Sequence, residues 1–439
     1  MPYCHSTSVC LSGLRGDRVT VEAHVGNGLP CVALTGLADT ALQQAKVRVR
    51  SAVENTGIRW PDGRVVLNLL PASLPKSGSA CDVAIAAALL AAVELVPARR
   101  LRGLVLLGEL GLDGQVRPVR GVLPALMAGR DHGLSEAVVP ADNLGEAAVV
   151  TGMRTHGARS LSEVLAFLRG EVELERAEPA PAPPAPVDLP DMADVIGQEA
   201  ARRAIEVAAA GGHHVFMVGP PGAGKTMLAE RLPSILPPLG DAAALETTAL
   251  HSIAGMLPTG SSVLLRHPPF SAPHHSATMP AMVGGGTYPL RPGAVSLAHN
   301  GVLFLDECPE ARREVLDSLR QPLERGEVLI SRSRSTARFP ARVQLVLAAN
   351  PCPCGVGGHG ACTCTPMQRR RYLGRLSGPL LDRVDIRLEM APVSAWALLS
   401  DDAAPEASGA IAARVRRARD AATERWSAAG TPWRTNSEA

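Results

Sequence analysis

Short apolar runs that stop at a glycine or a charge recur along this chain, and their periods change in a regular order. Residues 18–25 (RVTVEAHV) alternate apolar and polar, the pattern of a half-buried strand. Residues 40–57 have helical spacing and end at a glycine, 63–71 read as a second strand, and 80–96 read as a buried helix. Residues 103–119 predict two strands around the LDG turn. The stretch EPAPAPPAPVDLP (178–190) is too rich in proline and alanine for a packed element and predicts an extended linker. Beyond it, 197–212 predict a helix closed by glycines, 214–219 a short strand, and 302–305 and 343–350 buried strands. This strand–loop–helix alternation predicts a parallel α/β sheet. The expected division is a first domain over 1–172, a Pro/Ala linker over 173–190, an α/β core over 191–392, and a partial helical segment over 393–439 with one amphipathic helix near 409–428.

Composition narrows the class. The 439 residues are 46% hydrophobic and 20% charged, as expected of a globular protein of two or three domains. Aromatics make up only 3%, so the cores must be built from Ala, Val, Leu and Ile. A net charge of +2 requires any nucleic-acid surface to be local. The longest apolar run, 83–93, falls short of the roughly 20 residues a membrane helix needs. With nine cysteines and no leader-like start, the expectation is a cytoplasmic protein with reduced thiols and no membrane association. Cys4, Cys10, Cys31, Cys81 and Cys308 are scattered and read as packing residues. Only three of the 44 basic residues are lysine (Lys46, Lys76 and Lys225), which sharpens the question of why Lys225 is not arginine.

The answer lies in GPPGAGKT, formed by Gly219, Pro220, Pro221, Gly222, Ala223, Gly224, Lys225 and Thr226, between a strand and the helical MLAERLPSIL. The glycines let backbone N–H groups turn around phosphate oxygens at a helix N-terminus. Lys225 supplies a compact charge for the outer phosphates, and Thr226 a hydroxyl for magnesium. Downstream, the apolar Val302–Leu305 runs into Asp306 and Glu307. Bound magnesium facing Asp306 and an attacking water facing Glu307 would compensate the two carboxylates. The expected arrangement sets this strand directly beside the one that feeds the loop. Asn350, ending a further buried strand, reads as a water-orienting amide or a strand-end turn residue. Arg383, in GPLLDRVDI, reads as a surface partner of Asp382 or as an arginine reaching a neighbouring subunit.

Two C-x-C pairs, Cys352/Cys354 and Cys362/Cys364, are candidate ligands of a zinc ion, with His359 to spare; free thiols in a glycine loop are the alternative. Arg332, Arg334, Arg338 and Arg342 fall in SRSRSTARFPAR with no acid among them, in what reads as a β-hairpin. Arg332, Arg334 and Arg338 are the candidate DNA contacts, gripping phosphates without reading bases. Arg369, Arg370, Arg371 and Arg375 form a second candidate cluster for phosphates, with a solvated helix face as the favoured alternative.

The segments RPGAVSLAHNGVLFLDE (291–307), SAPHHSA (271–277), HSIAG (251–255) and SGPLLDRVDI (377–386) resemble the magnesium-chelatase-like AAA+ ATPases. The stretch 26–57 resembles the narrower YifB/ComM family. The resemblance implies a P-loop AAA+ parallel-sheet ATPase domain preceded by a Lon-protease-like α+β domain of the ribosomal S5 domain 2 type. It also implies ATP and magnesium as cofactors, a homo-hexameric ring, and Arg383 acting across subunit interfaces. The activity implied is an ATP-driven motor on single-stranded or branched DNA, as in ComM-type branch migration during natural transformation. The alternative is a chelatase-like ATPase remodelling a protein partner. Such modules end in a helical lid that carries a further nucleotide-contacting arginine; over 393–439 the lid looks truncated and that arginine is not assignable. PKSGSACD (75–82) and VRPVRGVLPA (116–125) are similar to Lon's nucleophile and lysine loops. The catalytic positions fall on Ala80 and Leu123, which supply neither nucleophile nor base, so the first domain is expected to be non-proteolytic.

Overall fold

The computed structural model describes residues 3–438 apart from 37–39, 75, 77, 179–188, 259–263, 287–289, 333–334, 356–361, 394–404 and 434. The first part of the chain builds an eight-stranded mixed sheet. Its order is Glu175–Arg176, Arg154–Ala158, Glu136–Pro140, Leu104–Leu106, Tyr3–Ser12, Arg15–Gly26, Arg64–Leu70 and Cys31–Thr35. The pairing of Glu175–Arg176 carries this sheet past residue 172, into the stretch read as linker. The alternation read at 18–25 is the inward face of Arg15–Gly26, where Val19, Val21 and Ala23 are buried. Helix Asp82–Ala92 is buried at every residue, as the unbroken apolar run Val83–Ala92 requires, with the buried Asp82 carboxylate paired with Arg48.

The hairpin around LDG is smaller than the sequence suggested. Leu104–Leu106 joins the large sheet in parallel with Glu136–Pro140, and only Glu109–Leu110 pairs with Val116–Arg117. Gly108, at φ +152°, redirects the chain between the two pieces. The cysteines are not all scattered packing residues either. Cys10 and Cys81 lie with their sulfurs 3.7 Å apart, and Cys31 is exposed.

The second part builds a five-stranded parallel sheet ordered Phe270–Ser271, Val302–Leu305, Gln344–Ala349, Val215–Val218 and Ile386–Glu389. The strand ending at Asp306 is therefore not beside the strand that feeds the phosphate loop. Gln344–Ala349 is inserted between them, which places Asn350 centrally at the carboxyl edge of the sheet. All six residues of Gln344–Ala349 are buried, as expected of a central strand covered on both faces. Helix Ser408–Ala428 docks on Glu199–Gly211 and on Lys225–Ile235, with Arg414 donating to both carboxylate oxygens of Glu206 at 2.7 and 3.0 Å. Among the described residues, no helix is long and apolar enough to cross a membrane.

The two sheet systems touch through helix Val122–Asp131 against helix Asp241–Ala254. At that joint the half-buried Glu146 carboxylate accepts hydrogen bonds from Leu123 N (2.7 Å), Asn143 Nδ2 (3.2 Å) and Ser252 Oγ. Burial pushes its carboxyl up from the ordinary value. Gly13, at φ +66°, lets the turn after Tyr3–Ser12 lie against the backbone of Arg338, where an added β-carbon would stand 2.4 Å from the carbonyl oxygen.

Candidate active site

The phosphate loop leaves strand Val215–Val218 and enters helix Lys225–Ile235. Gly219 packs so closely on the adjacent strand end that a β-carbon would meet the Met390 carbonyl at 2.7 Å. Gly224, at φ +87°, turns the chain into the helix with its first N–H groups free for an anion. Lys225 is almost wholly buried. Its Nζ donates to Gly219 O (2.6 Å), Pro220 O (3.0 Å) and Asn350 Oδ1 (3.2 Å). Burial pulls the ammonium below its usual range, partly offset by the negative field of Asp306 and Glu307. A buried ammonium resting only on neutral oxygens lacks a full counter-charge, and a phosphate at the loop would provide one.

Thr226 Oγ1 donates to Asp306 Oδ2 at 2.7 Å, so the two expected magnesium ligands already share one position. The Glu307 N–H donates to Asp306 Oδ1 at 2.9 Å. Glu307 itself adopts φ +47°, ψ +40°, a left-handed backbone that costs a non-glycine residue roughly 1 kcal/mol. Lys225, Thr226, Asp306, Glu307 and Asn350 line one cavity of about 510 Å³, together with Pro221, Gly222, Ala223 and Gly224.

The sequence reading missed the rest of that cavity. Val195, Ile196 and Val393 give it an apolar wall suited to a flat ring. Gln198 Nε2 donates to Ala223 O (3.0 Å) and Ala391 O (2.8 Å), tying the loop to the chain on the far side. The signal available was VIGQ just before helix Glu199–Gly211, too short and ordinary to single out without the fold. His275 was also missed as a site residue; its Nδ1 lies 3.4 Å from Glu307 Oε2.

Arg383 is not among the residues lining this cavity. It is half-exposed and pairs with Glu324 rather than with Asp382. The four loop cysteines do converge. Cys352 and Cys354 are 3.2 Å apart, Cys362 lies 3.7 and 3.6 Å from them, and one sulfur from each of the four fits within 4.8 Å. His359 lies outside the described residues. Gly355, within the same loop, packs on Pro221 of the phosphate loop, where a β-carbon would come within 3.1 Å of Cγ. The second arginine cluster is not simply solvated, because Arg369 Nη2 approaches Cys362 Sγ at 3.4 Å and Arg375 Nη1 bonds Glu310 and Pro309 O at 2.9 Å.

The hairpin forms from Glu327–Arg332 and Ser335–Pro340, but its arginines do not make one row. Arg332 shares its face with the buried Val328 and Ile330, whereas Arg338 lies on the opposite, exposed face. Arg338 also has an acidic partner, since Glu327 sits 3.8 Å away on the adjoining strand. Arg334 lies outside the described residues.

In the first domain, among the described residues, Lys76 and Ser79 do not form a dyad. Lys76 is fully buried and donates to Gly36 O (3.1 Å) and Pro71 O, while Ser79 Oγ donates to Glu109 Oε2. Leu123 is buried in helix Val122–Asp131.

Comparison with known proteins agrees with this geometry. Residues 191–398 match the family described as "Magnesium chelatase, subunit ChlI", and residues 21–143 match "Subunit ChlI of Mg-chelatase". An uncharacterized protein of Mycobacterium tuberculosis is 52% identical over 98% of this chain and 84% of its own length. YifB of Escherichia coli is 44% identical over 93% of this chain and 80% of its own length, and competence protein ComM of Haemophilus influenzae 43% over 94% and 81%. A shorter similarity, 32% over 31% of this chain and 18% of its own length, is to Lon protease of Mycolicibacterium smegmatis. The chain therefore belongs to the YifB/ComM family of magnesium-chelatase-like AAA+ proteins, a membership that implies ATPase activity and oligomeric assembly.

Proposed function

We propose that the protein is a magnesium- and ATP-dependent AAA+ ring motor acting on DNA. The observation that carries this reading is the convergence of Lys225, Thr226, Asp306, Glu307 and Asn350 on one cavity at the carboxyl edge of the parallel sheet. In this reading the loop N–H groups and Lys225 hold the triphosphate, and Thr226 and Asp306 hold magnesium. The ion supplies charge neutralisation between phosphates. Glu307 takes the proton of the attacking water, and Asn350 orients that water. Arg383 leaves Glu324 to reach the nucleotide of a neighbouring protomer in a homo-hexamer, where it stabilises the transition-state charge.

DNA is favoured over a protein substrate by the name of the ComM relative and by the hairpin, which carries Arg332 exposed near its tip. Contacts of this kind are to phosphates, so they weaken steeply with salt. The test is the ATPase rate of the purified protein with single-stranded and branched DNA. Stimulation at low salt that fades as salt rises, and falls on Arg332→Ala, is the expected outcome. No response to either DNA at low salt would contradict the reading and favour protein remodelling.

The cysteine loop fits one zinc ion. A tetrahedral thiolate site with zinc–sulfur bonds of about 2.3 Å has sulfurs about 3.8 Å apart, close to the 3.7 and 3.6 Å from Cys362 to Cys352 and Cys354 and longer than the 3.2 Å between those two. Its contact with Pro221 would let the metal stiffen the phosphate loop. Metal analysis of protein purified without chelator is expected to give about one zinc per chain, lost in a Cys352→Ser, Cys354→Ser variant. Absence of zinc in the wild type would refute the assignment.

A further inference from the structure

Cys10 and Cys81 belong to none of the sites assigned above. Cys10 lies near the end of strand Tyr3–Ser12, and Cys81 immediately precedes helix Asp82–Ala92. They are 71 residues apart in sequence, yet their sulfurs approach to 3.7 Å. Two buried cysteines are ordinarily small apolar packing residues. The charge around this pair, its access to solvent and its position favour chemistry instead.

The charge comes from Lys76. Its side chain is fully buried, its Nζ donates to Gly36 O (3.1 Å) and Pro71 O, and among the described residues it has no carboxylate partner. A buried ammonium resting on neutral oxygens is costly, and a thiolate beside it would relieve that cost. Cys10 and Cys81 both lie within its electrostatic reach. The neighbouring Asp82 carboxylate is already taken up by Arg48, at 2.7 and 3.1 Å. The start of an eleven-residue helix adds a positive field at Cys81. The hydrogen bond with Cys10 pulls the Cys81 thiol below its usual value, and Lys76 adds to the effect against burial.

Access comes from a cavity of about 430 Å³ lined by Cys10 together with Gly78, Ser79 and Ala80. Cys81 is almost completely buried and does not line it. A small polar oxidant can therefore meet Cys10 first and Cys81 only through Cys10. Closing 3.7 Å to a disulfide bond of about 2.05 Å needs an approach of roughly 1.7 Å, the scale of side-chain rotation. The bond would form two residues before Ser12, whose Oγ donates to Thr336 O of the hairpin at 3.0 Å. It would thus pin the strand end that meets the hairpin to helix Asp82–Ala92.

We propose that Cys10 and Cys81 are an oxidisable dithiol, a modification site for hydrogen peroxide, with Lys76 as the charge partner of the thiolates. The Cys10 thiolate attacks one peroxide oxygen, the O–O bond breaks, hydroxide leaves and Cys10 becomes a sulfenic acid. The Cys81 thiolate then attacks the Cys10 sulfur, the S–S bond forms and a second hydroxide leaves. The two protons given up by the thiols convert both hydroxides to water. Two thiols lose two electrons in all, and one peroxide is reduced to two waters. The site is separate from the phosphate-loop cavity and stands or falls without the ATPase reading.

The test treats the folded wild-type protein with a few-fold excess of hydrogen peroxide, alkylates the remaining thiols and maps tryptic peptides by mass spectrometry. The expected product is peptide 1–15 joined to peptide 77–99, two hydrogens lighter than the reduced pair, with Cys4 alkylated. Dithiothreitol should release it, and Cys10→Ser should abolish it. Lys76→Met keeps the length and burial of the side chain without its charge. It is expected to slow formation of the link, seen there as 1–15 joined to 65–99, by roughly tenfold, the effect of about one unit in thiol pKa. Circular dichroism confirms that each variant is folded. Absence of the link in folded wild type, or its appearance only after denaturation, overturns the proposal. A link that persists in Cys10→Ser assigns the reaction to Cys4 and overturns it equally. An unchanged rate in folded Lys76→Met overturns the part given to the ammonium.

Discussion

Glu307→Gln is expected to reduce ATP turnover by roughly two to four orders of magnitude while leaving nucleotide affinity within a few-fold of wild type. The amide keeps the size of the carboxylate and loses only its ability to accept a proton. The groups expected to bind the nucleotide are untouched: Lys225 stays on Gly219 and Pro220, and Thr226 stays on Asp306. The backbone link from Glu307 N to Asp306 also survives, so the left-handed turn is retained. Arg383→Ala is expected to show the same separation for a different reason. Arg383 lies outside its own chain's cavity, and its only carboxylate contact among the described residues is Glu324. It therefore acts on a neighbour's nucleotide or not at all. Mixing the two variants distinguishes these cases. Some interfaces in a mixed ring combine an intact Glu307 from one protomer with an intact Arg383 from the next, and part of the turnover should return. Failure of the mixture to exceed either variant, in rings that form normally, would contradict a role for Arg383 across the interface. Turnover within tenfold of wild type in Glu307→Gln would contradict its role as base.

The parts of this site that could be read from the chain are those whose chemistry is contiguous. The phosphate loop compresses a strand, three glycines, a lysine, a hydroxyl and a helix start into a dozen residues, and each element falls where the spacing put it. Asp306 and Glu307 were legible because an apolar strand that ends in two acids needs a reason. The order of strands was not legible. Val302–Leu305 and Val215–Val218 are both short and wholly or nearly buried, and nothing in either says that Gln344–Ala349 lies between them. That insertion is what brings Asn350 to 3.2 Å from Lys225.

His275 and Gln198 were hidden for the same reason. Each is a polar residue in an irregular segment whose significance comes from what the sheet places next to it. The hairpin shows the reverse failure. Four arginines close in sequence look like one basic patch, but the period-two alternation of a strand pair sends Arg332 and Arg338 to opposite faces. In the first domain, that Ala80 and Leu123 offer neither nucleophile nor base was visible in sequence, whereas the burial of Lys76 against carbonyl oxygens was not.

Lys225→Ala is the second substitution with a large expected effect, and it acts on binding. Lys225 is buried beside the loop, held by three oxygens, with its ammonium already disfavoured by desolvation. Phosphate oxygens would replace neutral acceptors with full negative charge, so the gain on nucleotide binding is concentrated in this one side chain. A charge-assisted hydrogen bond of about 1.5–3 kcal/mol corresponds to a loss of roughly ten- to a hundredfold in affinity on truncation. Alanine at the first residue of helix Lys225–Ile235 leaves the helix start and the glycine conformations in place, so the fold itself should tolerate it. The direct measurement is a calorimetric titration of ATP into the wild type and into Lys225→Ala, each with magnesium and with chelator. Saturable binding that requires magnesium in the wild type and drops by at least tenfold in the variant is the predicted result; binding indifferent to magnesium, or equal in the two proteins, would contradict it.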